Sequence, residues 1–161
     1  MKSGNCDGDC DDNNAAVNPG AAEINNNGLD DDCNPATPVN TVSGIGANQP
    51  LPGFNASIQV NVNEANLPEG MVKYRYSKER LTFTSTTILS IYASGGTATI
   101  TGMGNAVRTG GASCMGCPFT LIIVEGSPDS MSISINNGAY FKDPVSGTRD
   151  LTSGNFNQTG Q

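Results

Sequence analysis

Ser57-Ile58-Gln59-Val60-Asn61-Val62 alternates polar and apolar side chains, and Met71-Val72-Lys73-Tyr74-Arg75-Tyr76 and Leu81-Thr82-Phe83-Thr84 repeat the pattern. A period of two sends successive side chains to opposite faces of an extended chain, so these segments read as half-buried strands. Residues 87–93, 97–101, 119–125, 131–135 and 139–142 continue the series. Turn signals separate them at Pro68-Glu69-Gly70, Ser94-Gly95-Gly96, Gly126-Ser127-Pro128-Asp129 and Asn136-Asn137-Gly138. Gly102-Met103-Gly104 reads as a further hairpin turn. No segment carries an apolar stripe of helical period. The expectation is an all-β domain over residues 56–161, an antiparallel β-sandwich or partly closed barrel of about eight strands. Phe119-Thr120-Leu121-Ile122-Ile123-Val124 is the one nearly continuous apolar run. It is expected to be the most buried strand, at the centre of a sheet.

Upstream, residues 36–55 contain no charged side chain and include Pro38, Pro50 and Pro52. Proline fixes φ and pushes the residue before it toward extended geometry, so this stretch reads as a semi-stiff linker. Its apolar residues Val39, Val42, Ile45 and Leu51 are too sparse for a core, though they could lie against another surface.

Residues 1–35 differ in kind. They hold eight acids (Asp7, Asp9, Asp11, Asp12, Glu23, Asp30, Asp31, Asp32) and one base, Lys2, a balance of 1 − 8 = −7. From residue 36 onward seven acids meet seven bases, so the whole net charge of −7 sits in this segment. So many carboxylates in an apolar-poor stretch are unfavourable unless a cation neutralises them or the segment stays solvated. Asp7, Asp9 and Asp11, with Asp12 beside them, are spaced like the first ligands of a calcium loop, and Glu23, Asp30 and Asp32 would complete an oxygen shell. Ca2+ accepts six to eight such donors in irregular geometry. The competing reading is a solvated acidic tail. Interleaved Gly and Asn, bracketing cysteines and the lack of Lys or Arg within the clusters favour the metal.

The run Asp9-Cys10-Asp11-Asp12, then Ala16-Val17-Asn18-Pro19-Gly20-Ala21, Glu23-Ile24 and Asn27-Gly28-Leu29-Asp30-Asp31-Asp32-Cys33 resembles the metal-binding repeat of the MopE type. Such repeats occur in secreted and surface proteins of bacteria and are similar to the calcium-wrapped repeats of thrombospondins. The resemblance implies a metal site on these residues and a Cys10–Cys33 disulfide, with Cys6 left over. The chain departs from the family at Asn25, where members commonly have a cysteine. The family takes its name from a copper-binding protein, but this chain has no histidine and its donors are nearly all carboxylates, which points to calcium. A looser resemblance, through Glu69-Gly70-Met71, Leu81-Thr82-Phe83, Ala98-Thr99-Ile100-Thr101-Gly102 and Asp129-Ser130-Met131-Ser132-Ile133, is to an uncharacterised β-domain near the carboxyl ends of bacterial secreted proteins. It carries no activity with it.

Cys114-Met115-Gly116-Cys117 has the spacing of a redox pair but not the helix N-terminus that such chemistry uses, so Cys114 and Cys117 read as a structural disulfide, local or between segments. Five cysteines suit an oxidising compartment. No apolar run approaches the ~20 residues that cross a bilayer as a helix. Met1-Lys2-Ser3-Gly4 opens no signal-peptide run, so secretion is expected to use a segment outside this numbering, or the sequence to be a mature form. The acidic balance disfavours nucleic acid.

Without histidine there is no imidazole for a triad. Glu64, Glu69, Glu79, Glu125 and Asp129 are formally available as paired glycosidase carboxylates, but most sit beside turns. The expectation is therefore a non-catalytic, extracellular, structural or adhesive module of a bacterial surface. Its calcium-stabilised arm would meet a neighbouring copy and build a filament, with the linker adding a strand to the next subunit's sheet. The alternative is a carbohydrate-binding or adhesin module appended to a secreted enzyme, whose glycan platform would draw on Tyr74, Tyr76, Tyr92, Tyr140 and Phe141.

Overall fold

The computed structural model describes residues 10, 11, 13–24, 29–34 and 39–160. Ten antiparallel strands form: β1 (Thr41–Leu51), β2 (Phe54–Asn63), β3 (Met71–Tyr76), β4 (Leu81–Ser94), β5 (Thr97–Arg108), β6 (Cys114–Val124), β7 (Ser130–Ile135), β8 (Phe141–Asp143), β9 (Arg149–Asp150) and β10 (Ser153–Thr159). They make a single sheet in the order β10-β1-β2-β3-β4-β5-β6-β7-β8, with β9 also on β7. The class is the expected one, all-β and antiparallel. The sheet is not closed into a barrel by a ladder.

The period-two signal becomes the core. Ile58, Val60 and Val62 of β2, Val72, Tyr74 and Tyr76 of β3, and Leu121 and Ile123 of β6 are buried, while Ser57, Gln59 and Asn61 between them face solvent. Two register shifts in β4 against β5, at Ser85/Thr87 and Ile88/Ser90, let one 14-residue strand bend where the sequence suggested two.

Three expectations are corrected. Gly102-Met103-Gly104 is not a turn but lies in the middle of β5. A Cβ on Gly104 would come 2.4 Å from the Phe83 ring, and one on Gly102 would come 2.7 Å from Phe119. Those two rings pack edge to face with centroids 5.0 Å apart, so the glycines make room for the largest pair in the core. Second, the strand buried on both faces is β7, where Ser130, Met131, Ser132 and Ile133 are all buried; in β6 Thr120, Ile122 and Val124 remain half-buried. Third, most of the supposed linker is β1, paired on one side with β2 and on the other with β10. Its own inward positions are nearly empty of apolar bulk. A Cβ on Gly46 would meet Leu151 at 2.6 Å, and one on Gly44 would meet the Phe156 ring at 2.9 Å. Neighbouring elements supply the side chains, while Ile45 points out at 66% exposure.

Buried polar side chains, a carboxylate in one place and an amide in another, tie strands of the curled sheet together where no ladder does. Asp129, 7% exposed, accepts from Phe156 N of β10 at 2.7 Å and Gly126 N at 2.9 Å, while its own carbonyl accepts from Leu151 N. At the entry to β1, buried Glu64 accepts from Asn40 N and Asn40 Nδ2 at 2.8 and 2.7 Å, and Asn40 Oδ1 accepts from Ala93 N at the end of β4. Buried charges of this kind persist because their lone pairs are used.

Candidate metal centre

The arm folds through local turns. Asp11 Oδ1 accepts from Asn13 N and Asp11 O from Asn14 N; Asn14 O in turn accepts from Val17 N. Pro19 and Gly20, the latter with φ +100°, form the turn closed by Ala21 N donating to Asn18 O. Val17 is the arm's buried apolar side chain among the described residues, at 3% exposure. Asn18 N donates to Asp31 O, tying the front half of the arm to the back. The Cys10–Cys33 disulfide closes the loop, with Cα atoms 5.7 Å apart.

Within that loop the carboxylates of Asp31 and Glu23 each accept from a backbone N–H of the facing segment. Ile24 N donates to Asp31 Oδ2 at 3.0 Å, and Asp31 N donates to Glu23 Oε2 at 2.9 Å. Asp31 is thereby buried to 2% exposure, while its neighbours Asp30 and Asp32 remain half-buried. Asn34 N donates to Oδ1 of both, at 3.2 and 2.9 Å, next to Cys33 in the left-handed region at φ +53°. Glu23, Asp30 and Asp32 converge, each offering a carboxylate oxygen within 4.8 Å of the others. Two oxygens bound to one Ca2+ at 2.3–2.6 Å are separated by at most roughly 4.6–5.2 Å, so the group spans a distance one such ion can bridge. Burial pushes the Glu23 carboxyl above its ordinary value, and the charges of Asp31 and Asp32 add to this against the backbone N–H groups that lower it.

Of the expected ligands, Glu23, Asp30 and Asp32 come together. Asp11 stands outside that group, with Oδ1 on its own turn, and Asp7, Asp9 and Asp12 lie outside the described residues. Sequence reasoning missed Asp31 as the residue that positions the others. No local signal marked it: Asp31 sits in the Asp30–Cys33 turn, and its role depends on the distant Glu23–Ile24 segment it meets.

Comparison with known proteins bears on this segment alone. A family model described as "Putative metal-binding motif", under the name Cu-binding MopE, matches residues 9–37. The arm carries this motif. No family model names the sheet, and no curated protein or solved structure matches the chain. The MopE-type motif here offers hard oxygens. The chain has no histidine, and among the described residues Cys10 and Cys33 are spent in their disulfide; Cys6 lies outside the described residues.

Elsewhere, Cys114 and Cys117 are joined at the start of β6, a bond within one strand. Tyr74, Tyr76 and Phe141 are buried, and both tyrosine rings meet Phe141 at a tilt, with centroids 5.6 and 5.9 Å from it. Tyr140 donates to Ala112 O at 2.7 Å and lies beneath Arg108. Tyr92 alone of the five aromatic candidates is broadly exposed. They do not form a stacking platform for a sugar.

Proposed function

We propose that the chain is an extracellular structural module of a bacterial surface, whose arm is set by Ca2+ held on Glu23, Asp30 and Asp32 and whose sheet is a non-catalytic scaffold. The observation that carries this reading is the convergence of three carboxylates inside a disulfide-closed loop with one buried apolar side chain. A hard divalent ion offsets the mutual repulsion of that group and supplies the stability that burial does not. Two disulfides fit an oxidising compartment. Four of the five acids weighed for catalysis have structural work: Glu64 and Asp129 are buried acceptors, Glu79 binds Arg108, and Glu125 accepts from Gln158 N.

In this reading the arm, with Ile24 and Leu29 exposed, is also the adhesive contact between copies. β1 is already paired on both sides, so strand donation from the supposed linker would have to displace β10, and the contact falls to the arm. Calorimetric titration of the full chain with Ca2+, paired with sedimentation, tests both parts. Saturable binding that EGTA reverses and that Asp30→Asn with Asp32→Asn removes is expected; no heat at millimolar Ca2+ would overturn the metal assignment. Filaments should appear in negative stain only with calcium, and isolated monomers at high concentration would sink the assembly claim alone.

A further inference from the structure

The positive charge of the sheet domain is not spread evenly. Four of its seven bases, Lys73, Arg75, Lys78 and Arg80, fall within eight residues of the β3–β4 hairpin, where the one acid is Glu79. Glu79 is bound to Arg108, and Arg149 is bound to buried Asp143. Among the described residues no carboxylate pairs with Arg75 or Arg80.

Strand register lays Arg75 in a row of small side chains, mostly hydroxyls, on the outer face: Ser153 opposite Ala47, Ala47 opposite Ser57, Ser57 opposite Arg75 and Arg75 opposite Thr82. Long chains beside short ones leave a groove of ≈ 790 Å³ across β10, β1, β2, β3 and β4, with Arg75 and Arg80 among its lining and no acid. Beyond Arg75 a second recess continues to Gln59 and Lys73. Arg80 has φ +48°, a left-handed position where Gly or Asn is unstrained. A long cation kept at that corner is a choice the turn does not require.

We propose that this groove binds a linear acidic polysaccharide, a polyuronate, with Arg75 and Arg80 receiving carboxylates and the hydroxyls of Ser57, Ser77 and Thr82 meeting sugar hydroxyls. Guanidinium matches a carboxylate with a two-pronged, charge-assisted contact. An acidic polypeptide is the poorer occupant. Both edges of β1, β2 and β3 are already paired, so no strand edge is offered to a peptide. The site is independent of the metal centre.

Oligogalacturonate titrated into the full chain by calorimetry, in EGTA and low salt, tests this. EGTA removes calcium bridging between the arm and the uronate. Saturable binding is expected, weakened by high salt, lowered at least tenfold in Arg75→Gln/Arg80→Asn and unchanged in Lys142→Gln, a control on β8. Asparagine tolerates the backbone at position 80, and an unchanged thermal melt would show that both variants fold. Absence of binding, binding that EGTA abolishes, equal binding by the double variant, or a poly-glutamate or neutral oligosaccharide of matched length binding as well would each overturn the assignment.

Discussion

The arm and the sheet solve the same problem by different means. In the sheet, alternation places Ile58, Tyr74, Phe83, Leu121 and many like them in one continuous interior, and that burial opposes the chain's entropy. In the arm, among the described residues, the buried side chains are Val17 and the carboxyl of Asp31, and order comes from a cross-link, backbone turns and a cluster of three carboxyl groups. Charge marks the division as clearly as hydropathy does: −7 in the first 35 residues and zero beyond. A segment that cannot bury apolar surface gains stability from what it binds, and its stability then depends on conditions the sheet ignores.

The comparison breaks if damage to one region spreads to the other. The largest effect belongs to the sheet: Phe83→Ala should cost about 3–5 kcal/mol in denaturant unfolding while leaving Ca2+ affinity unchanged. Gly104→Ala attacks the same contact from the opposite side. Replacing Cys10 and Cys33 by Ser should cost the arm about 3 kcal/mol, the loop-closure value for their separation of 23 residues, with no shift in the sheet's melting transition. Hydrogen exchange resolves the two, since arm amides would lose protection and sheet amides would keep it. Calcium at a hundredfold over its dissociation constant should return about 2.7 kcal/mol to the arm, and none in Asp30→Asn/Asp32→Asn.

Smaller effects sharpen the account of the sheet. Asp129→Ala removes the acceptor for Phe156 N and should cost about 1–3 kcal/mol, loosening β10 first. Tyr74 carries the mildest test. Burial pushes its hydroxyl well above the ordinary value near 10, with Asp143 adding to the rise. Folded protein then holds that proton where unfolded protein releases it, so the contribution is intact below pH 10 and is lost as pH rises. About 1.4 kcal/mol should be gone by pH 11, and Tyr74→Phe should abolish that part of the slope.

Much of this was legible from residue order alone. Period-two alternation marks β2, β3 and the start of β4 because half-burial is a local property of an extended chain, and the acidic run with its cysteines marks the arm because charge and donor type need no partner to be read. What stayed hidden was wherever one element borrows another's side chains. β1 has glycine at positions 44 and 46, and only the arrival of Phe156 and Leu151 from the far end of the chain makes it a sheet strand. Gly102 and Gly104 spell a turn until Phe119 and Phe83 are laid over them. Glu64 and Asp129 look like solvated turn residues until distant backbone N–H groups point at them. Composition and spacing therefore determined the all-β class, the confinement of the net charge to the first 35 residues and a candidate oxygen cluster. Tertiary structure decided which strands pair, which acids are structural and which three carboxylates meet, because each of those depends on atoms brought together from far along the chain.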